Sequence, residues 1–295
     1  MRLPSNFLQR LRSHGCGQPG CPHVRQPWWV LRWAQHQVRL HSQIYCSSQC
    51  LERALRQRYE ELCAPYVISA NSQRRLPLGL LMLSRGQISS EQLNIALNSQ
   101  SHGSRRLGER LELLGFATSA QVLSALSQQW ACPIYAGPVR EHAAAVRVLP
   151  HALLDRYRIY PIQFVEATRS LYLGFSEGIE YTVLYAIEQM LNCRTEAFLI
   201  PSYRMHEFVC SVRSEISSED LVLEGSHSPR YMASVTVGYA MKSNSYRIRV
   251  VHCGKDIWAR LDSNKGSINL LFGLRQQSTL QSARLDPDLV TSIAS

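Results

Sequence analysis

The chain has 295 residues, 45% of them hydrophobic and 18% charged, with a formal net charge of +10. That length and balance exclude an intrinsically disordered chain and leave room for two or three domains. No apolar run approaches the roughly 20 residues of a membrane span, and the start, MRLPSNFLQRLRSHGCG, lacks the apolar core of a secretory signal. A cytoplasmic location is therefore expected. The positive charge permits an anionic partner without naming one. Nine cysteines are an odd number, and the early clustering of four of them fits a reducing compartment and a metal site better than a disulfide framework.

Residues 1–63 form the first expected domain. CGQPGCPH carries Cys16 and Cys21, and YCSSQC carries Cys46 and Cys50 immediately before the helical run LERALRQRYEELC. One pair on a Gly/Pro turn and a second pair opening a helix supply the four thiolates of a closed tetrahedral zinc site. The helix N-terminus favours thiolates, and Arg12, Arg25, Arg32, Arg39, Arg53 and Arg56 offset their charge. The arrangement resembles a treble-clef zinc finger. The pairs have four and three intervening residues, so His14 or His23 is an alternative to one of the cysteines. Four cysteines leave no open coordination position, so the metal is expected to be structural rather than catalytic. Trp28, Trp29 and Trp33 lie among basic residues. They would supply the core of a small metal domain or, alternatively, stack on nucleic acid bases.

A tandem helical-repeat module is expected over residues 72–135. LPLGLLMLSRGQISSEQLNIALNSQ and RRLGERLELLGFATSAQVLSALSQQ align without a gap at a shift of 29 residues. Leu78 then falls on Leu107, Gly79 on Gly108, Gly86 on Gly115, Leu93 on Val122, Leu97 on Leu126 and Gln100 on Gln129. Each copy reads as two short helices. Gly86 and Gly115 end the first; Ser89 or Ser90, and Thr118 or Ser119, cap the second. A glycine near a helix start costs stability, so Gly79 and Gly108 are expected where something approaches the backbone closely.

Helices and strands alternate over residues 140–210, which predicts a small α/β subdomain. His151–Tyr157 and Ile179–Leu191 have helical spacing; Ile159–Phe164, Ser170–Phe175 and Arg194–Ile200 read as strands. The tyrosines here, Tyr181 among them, are expected to pack. From Leu76 to Val209 the sequence resembles the N-terminal domain of the assembly ATPases of type II secretion and type IV pili. The repeats resemble the cyclic di-GMP-binding version of that domain, whose motif runs RLG, a short apolar segment, Gly, then L…L…Q, twice in tandem. The second copy carries it at Arg106, Leu107, Gly108, Leu111, Gly115, Leu126 and Gln129, with Val122 at a leucine position.

The resemblance implies a nucleotide site drawing on those residues and on Leu78, Gly79, Gly86, Leu93, Leu97 and Gln100. In the first copy Pro77 stands where the arginine belongs, and Arg74 or Arg75 is the substitute at hand. Chemically, Arg106 can make a charged fork to a guanine edge or a phosphate. Gly108 would admit the ligand to the backbone, and Leu107 and Leu111 would touch the base. No GxxxxGK[ST] occurs in the chain, so an ATPase motor is not expected.

Residues 211–275 read as an α+β domain with no assigned chemistry, and 276–295 as a flexible tail. Ser228–Lys242 is helix or strand; Tyr246–His252, Asp256–Leu261 and Ile268–Phe272 read as strands. His252 and Cys253 are neighbours on a strand and so point to opposite faces, which argues against a nucleophile–base pair. The expected fold class is thus α+β and multidomain. The expected function is a bacterial, cytosolic cyclic di-GMP-binding regulatory protein, not an enzyme, with a structural zinc ion and a secretion or pilus machinery protein as partner. The alternatives are a ligand-free interaction adaptor that keeps the fold, and a zinc-finger nucleic-acid-binding regulator.

Overall fold

A computed structural model describes residues 16–21, 38–64, 75–100, 106–137, 149–176, 178–202, 204, 205, 207 and 220–274. His14, His23, Trp28, Trp29, Trp33, Arg74 and the expected tail lie outside them. Among the described residues there are eight helices and two sheets, a mixed α/β chain. No helix among them is long and apolar enough to cross a membrane.

The chain first makes a short hairpin, β1 (Val38–Leu40) and β2 (Gln43–Tyr45), and then α1 (Ser48–Cys63). A two-stranded hairpin is marginal alone, and this one is not alone. β1 runs parallel to β7 (Arg247–Cys253), which continues antiparallel through β8 (Asp256–Ser263) and β9 (Gly266–Gly273), with β6 (Asp220–Leu223) on the far edge. The sheet order is β2-β1-β7-β8-β9-β6. The helix α8 (Pro229–Lys242) packs against α1. Tyr59 of α1 is fully buried, bonds Thr236 of α8 at 2.7 Å and meets Phe272 edge to face. Residues 1–63 and 211–275, read from sequence as separate domains, thus share one sheet and one core where they are described.

Side chains alternate across that sheet, so both faces are buried. Ile248, Val250, Ile257 and Phe272 face α1 and α8. Val251, Cys253, Trp258 and Leu271 face the α/β subdomain. That subdomain runs α6 (His151–Tyr157), β3 (Ile159–Val165), β4 (Ser170–Phe175), α7 (Tyr181–Leu191) and β5 (Arg194–Leu199), with sheet order β3-β4-β5. Helix α7 packs against both β5 and β7, which accounts for its buried Val183, Ala186, Ile187 and Met190. An ion network closes the join: Asp262 receives Arg249 at 2.7 Å, Arg247 at 2.9 Å and Arg260 at 3.2 Å, and Arg249 also bonds the Met190 carbonyl.

The repeat module is four helices: α2 (Leu78–Ser84), α3 (Ser90–Gln100), α4 (Leu107–Leu113) and α5 (Ser119–Trp130). Leu78 and Leu107 open the first helix of each pair, Ser90 and Ser119 the second, so the sequence offset is kept in space. Gly86 and Gly115 sit at φ of 64° and 69° just after the first helices, a left-handed position where a Cβ is penalised. The caps are Ser89 and Thr118. Each accepts from the amide three residues on, and Gln92 or Gln121 reaches back to it, a capping box in both copies.

Candidate functional site

Two constellations carry chemistry. The first is Cys16, Cys21, Cys46 and Cys50, whose sulfurs all lie within 4.8 Å of one another. Local structure aims them. The Gly17 amide bonds the Ile44 carbonyl at 2.9 Å, pinning the first pair to β2. A Cβ on Gly17 would lie 2.6 Å from Gln43 Oε1, so a side chain there would displace the end of Gln43. Ser47 caps α1 by accepting from the Cys50 amide at 3.2 Å, which places Cys50 in the first helical turn beside Cys46.

Sulfur separations are 3.5 Å for Cys21–Cys46, 3.8 Å for Cys46–Cys50 and 3.8 Å for Cys21–Cys50. A regular tetrahedron of thiolates about 2.3 Å from zinc has edges of about 3.8 Å. The four residues therefore fit a metal ion as they stand. Burial raises the Cys46 thiol, and its hydrogen bonds to Cys21, Cys16 and Cys50 raise it further. Burial also pushes Cys16 up, but hydrogen bonds from the backbone of Cys46 and Gln18 and from the neighbouring thiols bring it below its ordinary value. Four thiolates in that space need a cation between them.

The second constellation lies where the repeat module meets the α/β subdomain. Arg75 sits with its guanidinium 4.0 Å from the Trp130 ring centroid and 5.1 Å from that of Tyr181. The two rings are 6.3 Å apart and tilted by 31°. Gln129 fixes the approach by donating to the Leu76 carbonyl at 2.9 Å, which ties the strand-like entry of the first copy to the end of the second. Arg106 is the N-cap residue of α4 and is exposed. Its Nη1 and the Trp130 ring flank Gly178: a Cβ there would lie 3.5 Å from Arg106 Nη1 and 2.9 Å from Trp130 Cζ2. One cation, Arg75, thus lies on the aromatic surface, and a second, Arg106, reaches the Gly178 loop that borders it.

The motif glycines have a different explanation from the one their sequence suggests. Gly79 and Gly108 are buried. A Cβ on Gly79 would come 2.5 Å from Leu93 Cδ1 and 3.1 Å from Leu107 Cδ2; one on Gly108 would come 2.8 Å from Val122 Cγ1 and 3.5 Å from Leu78 Cδ2. The close approach is made by the module's own side chains, and it is reciprocal between copies. Leu111 is fully buried in the module's core, so it is a packing residue and offers a ligand no surface. Leu126 is partly buried and packs against both the module and the α/β subdomain, while Leu97 is 45% exposed. Gln100 ends α3. Pro77 is the N-cap of α2, the place Arg106 holds on α4.

Sequence reasoning missed Trp130 and Gly178 and read Tyr181 as packing. Trp130 directly follows the motif glutamine Gln129, which is the one signal that could have flagged it. His252 and Cys253 do not form a reactive pair: Cys253 is buried, and burial, then the charges of Asp256 and Glu180, push its thiol far up.

No protein-family profile matches the chain, and no curated protein matches it. Among solved structures, one described as MshE with cdg aligns over 46% of this chain and 98% of its own, at 29% identity and a TM-score of 0.40. The N-terminal domain of XpsE aligns over 45% of this chain and 92% of its own, at 13% identity and a TM-score of 0.35. At these TM-scores the functional reading rests on the residues of this chain and not on the superpositions.

Proposed function

We propose that this chain is a cyclic di-GMP-binding regulatory protein, related to the N-terminal domain of secretion and pilus ATPases and itself neither motor nor enzyme. The observation that carries the reading is that Arg75 stacks on Trp130 while Arg106 reaches the Gly178 loop against which the same ring lies. A guanine nucleotide with two phosphates needs cationic forks and flat surfaces for its bases. Arg75 takes the place of the arginine missing at Pro77, so each repeat contributes one cation. The cysteine cluster holds a structural zinc ion, which carries no chemistry beyond folding. The regulated partner is a secretion or pilus machinery protein, and the compartment is the cytosol. Calorimetry of the full chain with cyclic di-GMP tests the reading: saturable binding is expected, and its absence at several hundred micromolar ligand overturns it.

A second reading, a ligand-free interaction adaptor, is favoured by one observation. The spaces above Gly79 and Gly108 are filled by Leu93 and Val122, so those two positions are closed without a ligand. The same titration separates the two.

A further inference from the structure

We infer that the nucleotide site is composite: Trp130 and Tyr181 are positioning residues that hold the Arg75 guanidinium flat as a stacking platform for a purine base. The inference rests on the cyclic di-GMP reading and extends it to residues outside the repeat motif, one of them in the α/β subdomain.

The physical chain is short. Arg75 precedes the first helix of the repeat, outside that helix's backbone hydrogen bonds. A guanidinium on a flexible stem loses rotamer freedom when it binds, and that loss weakens binding unless the side chain is held beforehand. Here it is held at both ends. Gln129 anchors the backbone at Leu76, and the ring of Trp130, 4.0 Å away, holds the planar head. Tyr181 comes from the first turn of α7 and lies 5.1 Å from the same group.

Gly178 makes the arrangement possible. Trp130 Cζ2 lies where a side chain at that position would begin, 2.9 Å from its Cβ, so any larger residue would lift the ring away from the loop that leads to Tyr181. Arg75 and Tyr181 both retain solvent exposure, 50% in the case of Tyr181. A delocalised guanidinium stacks on planar rings, and a purine is the partner that suits the outer face of one already stacked. Arg106, from the N-cap of α4, reaches the Gly178 loop on which the Trp130 ring lies, where a guanidinium can pair with a phosphate. Because Tyr181 belongs to α7 and α7 packs on β7, ligand contact here touches the body of the protein and not the repeat module alone.

Calorimetry with cyclic di-GMP on the full chain, carrying Tyr181→Ala, Tyr181→Phe, Arg75→Ala and the Arg75→Ala/Tyr181→Ala pair, tests the inference. Tyr181 is half exposed, so its replacement leaves the core intact. Tyr181→Ala should weaken binding about 2- to 30-fold, the span of cation–π strengths from exposed to desolvated sites, and Tyr181→Phe should restore it. In the Arg75→Ala background the loss of Tyr181 should cost nothing more, because the tyrosine acts through the arginine. Wild-type binding that Tyr181→Ala leaves unchanged overturns the composite site while the cyclic di-GMP reading stands. Additive losses overturn the positioning role. A wild type that does not bind overturns both.

Discussion

Arg106 and Pro77 occupy equivalent places, the N-cap positions of α4 and α2, and differ in everything a ligand would use. Arginine brings a planar, permanently charged fork, whereas proline has neither a donor side chain nor an amide hydrogen. Arg106→Ala removes a charge-assisted interaction of about 1.5–3 kcal/mol, so cyclic di-GMP affinity should fall about 10- to 150-fold. Pro77→Arg should tighten binding, since the backbone at 77 already matches that at 106 in its extended ψ. Unchanged affinity in Arg106→Ala would place the ligand elsewhere. Asp262 is a buried carboxylate that three arginines share. Burial would raise its carboxyl, but Arg249, Ser267, Arg247 and Arg260 together hold it below the ordinary carboxylate value. A depressed folded-state pKa means the stabilisation is fully present above the unfolded value, near pH 4, and is lost as pH falls through the depressed one. Asp262→Asn should cost about 3–5 kcal/mol at neutral pH by leaving Arg249 without its counter-charge. Its denaturant midpoint should then vary less with pH in the acid range than the wild type's.

Two glycines show how the same residue type answers to different elements. Gly79 opens α2 under Leu93 and Leu107, and a Cβ there would stand 2.5 Å from a leucine methyl. Gly79→Ala gains up to about 1 kcal/mol of helix propensity but overpacks a closed contact, which costs about 1–3 kcal/mol. A lowered melting temperature is therefore expected. Gly238 lies on the exposed side of α8 with nothing within 4 Å of its missing Cβ. Gly238→Ala should stabilise by about 0.5–1 kcal/mol through the entropy of the unfolded chain. Thermal denaturation of the two variants side by side checks both signs, and a stabilised Gly79→Ala would mean that the space above α2 is not closed.

At the scale of the molecule, the cysteine cluster closes a domain assembled from both ends of the described chain. The hairpin β1–β2 is an edge of the C-terminal sheet, and α1 covers one face of it beside α8. A structural zinc is worth about 10–16 kcal/mol of apparent binding free energy in small domains, comparable to a whole domain's stability. Chelation, or Cys46→Ser, should therefore raise hydrogen exchange in α8 and β7 as well as in residues 38–63, and leave α2–α5 protected. Exchange confined to residues 38–63 would show that β6–β9 and α8 stand without the metal-bearing segment.

The sequence by itself determined what depends on near neighbours in the chain. The repeat offset, the glycine stops, the four cysteines and the strands β3, β4, β5 and β7–β9 were all legible, because hydrogen-bond periodicity, positive φ and ligand spacing are local properties. It left Ser228–Lys242 undecided between helix and strand, and Ser228 as N-cap with Pro229 at the first turn settles α8. Tertiary structure alone decided that β1 pairs with β7 across some two hundred residues of chain, that Leu93 and Val122 fill the space over the glycines, and that Trp130, Tyr181 and Arg75 meet. Each of those is a matter of which apolar face finds which partner. Burial free energy is non-directional, so a stretch of sequence shows that a face must be covered and not what will cover it.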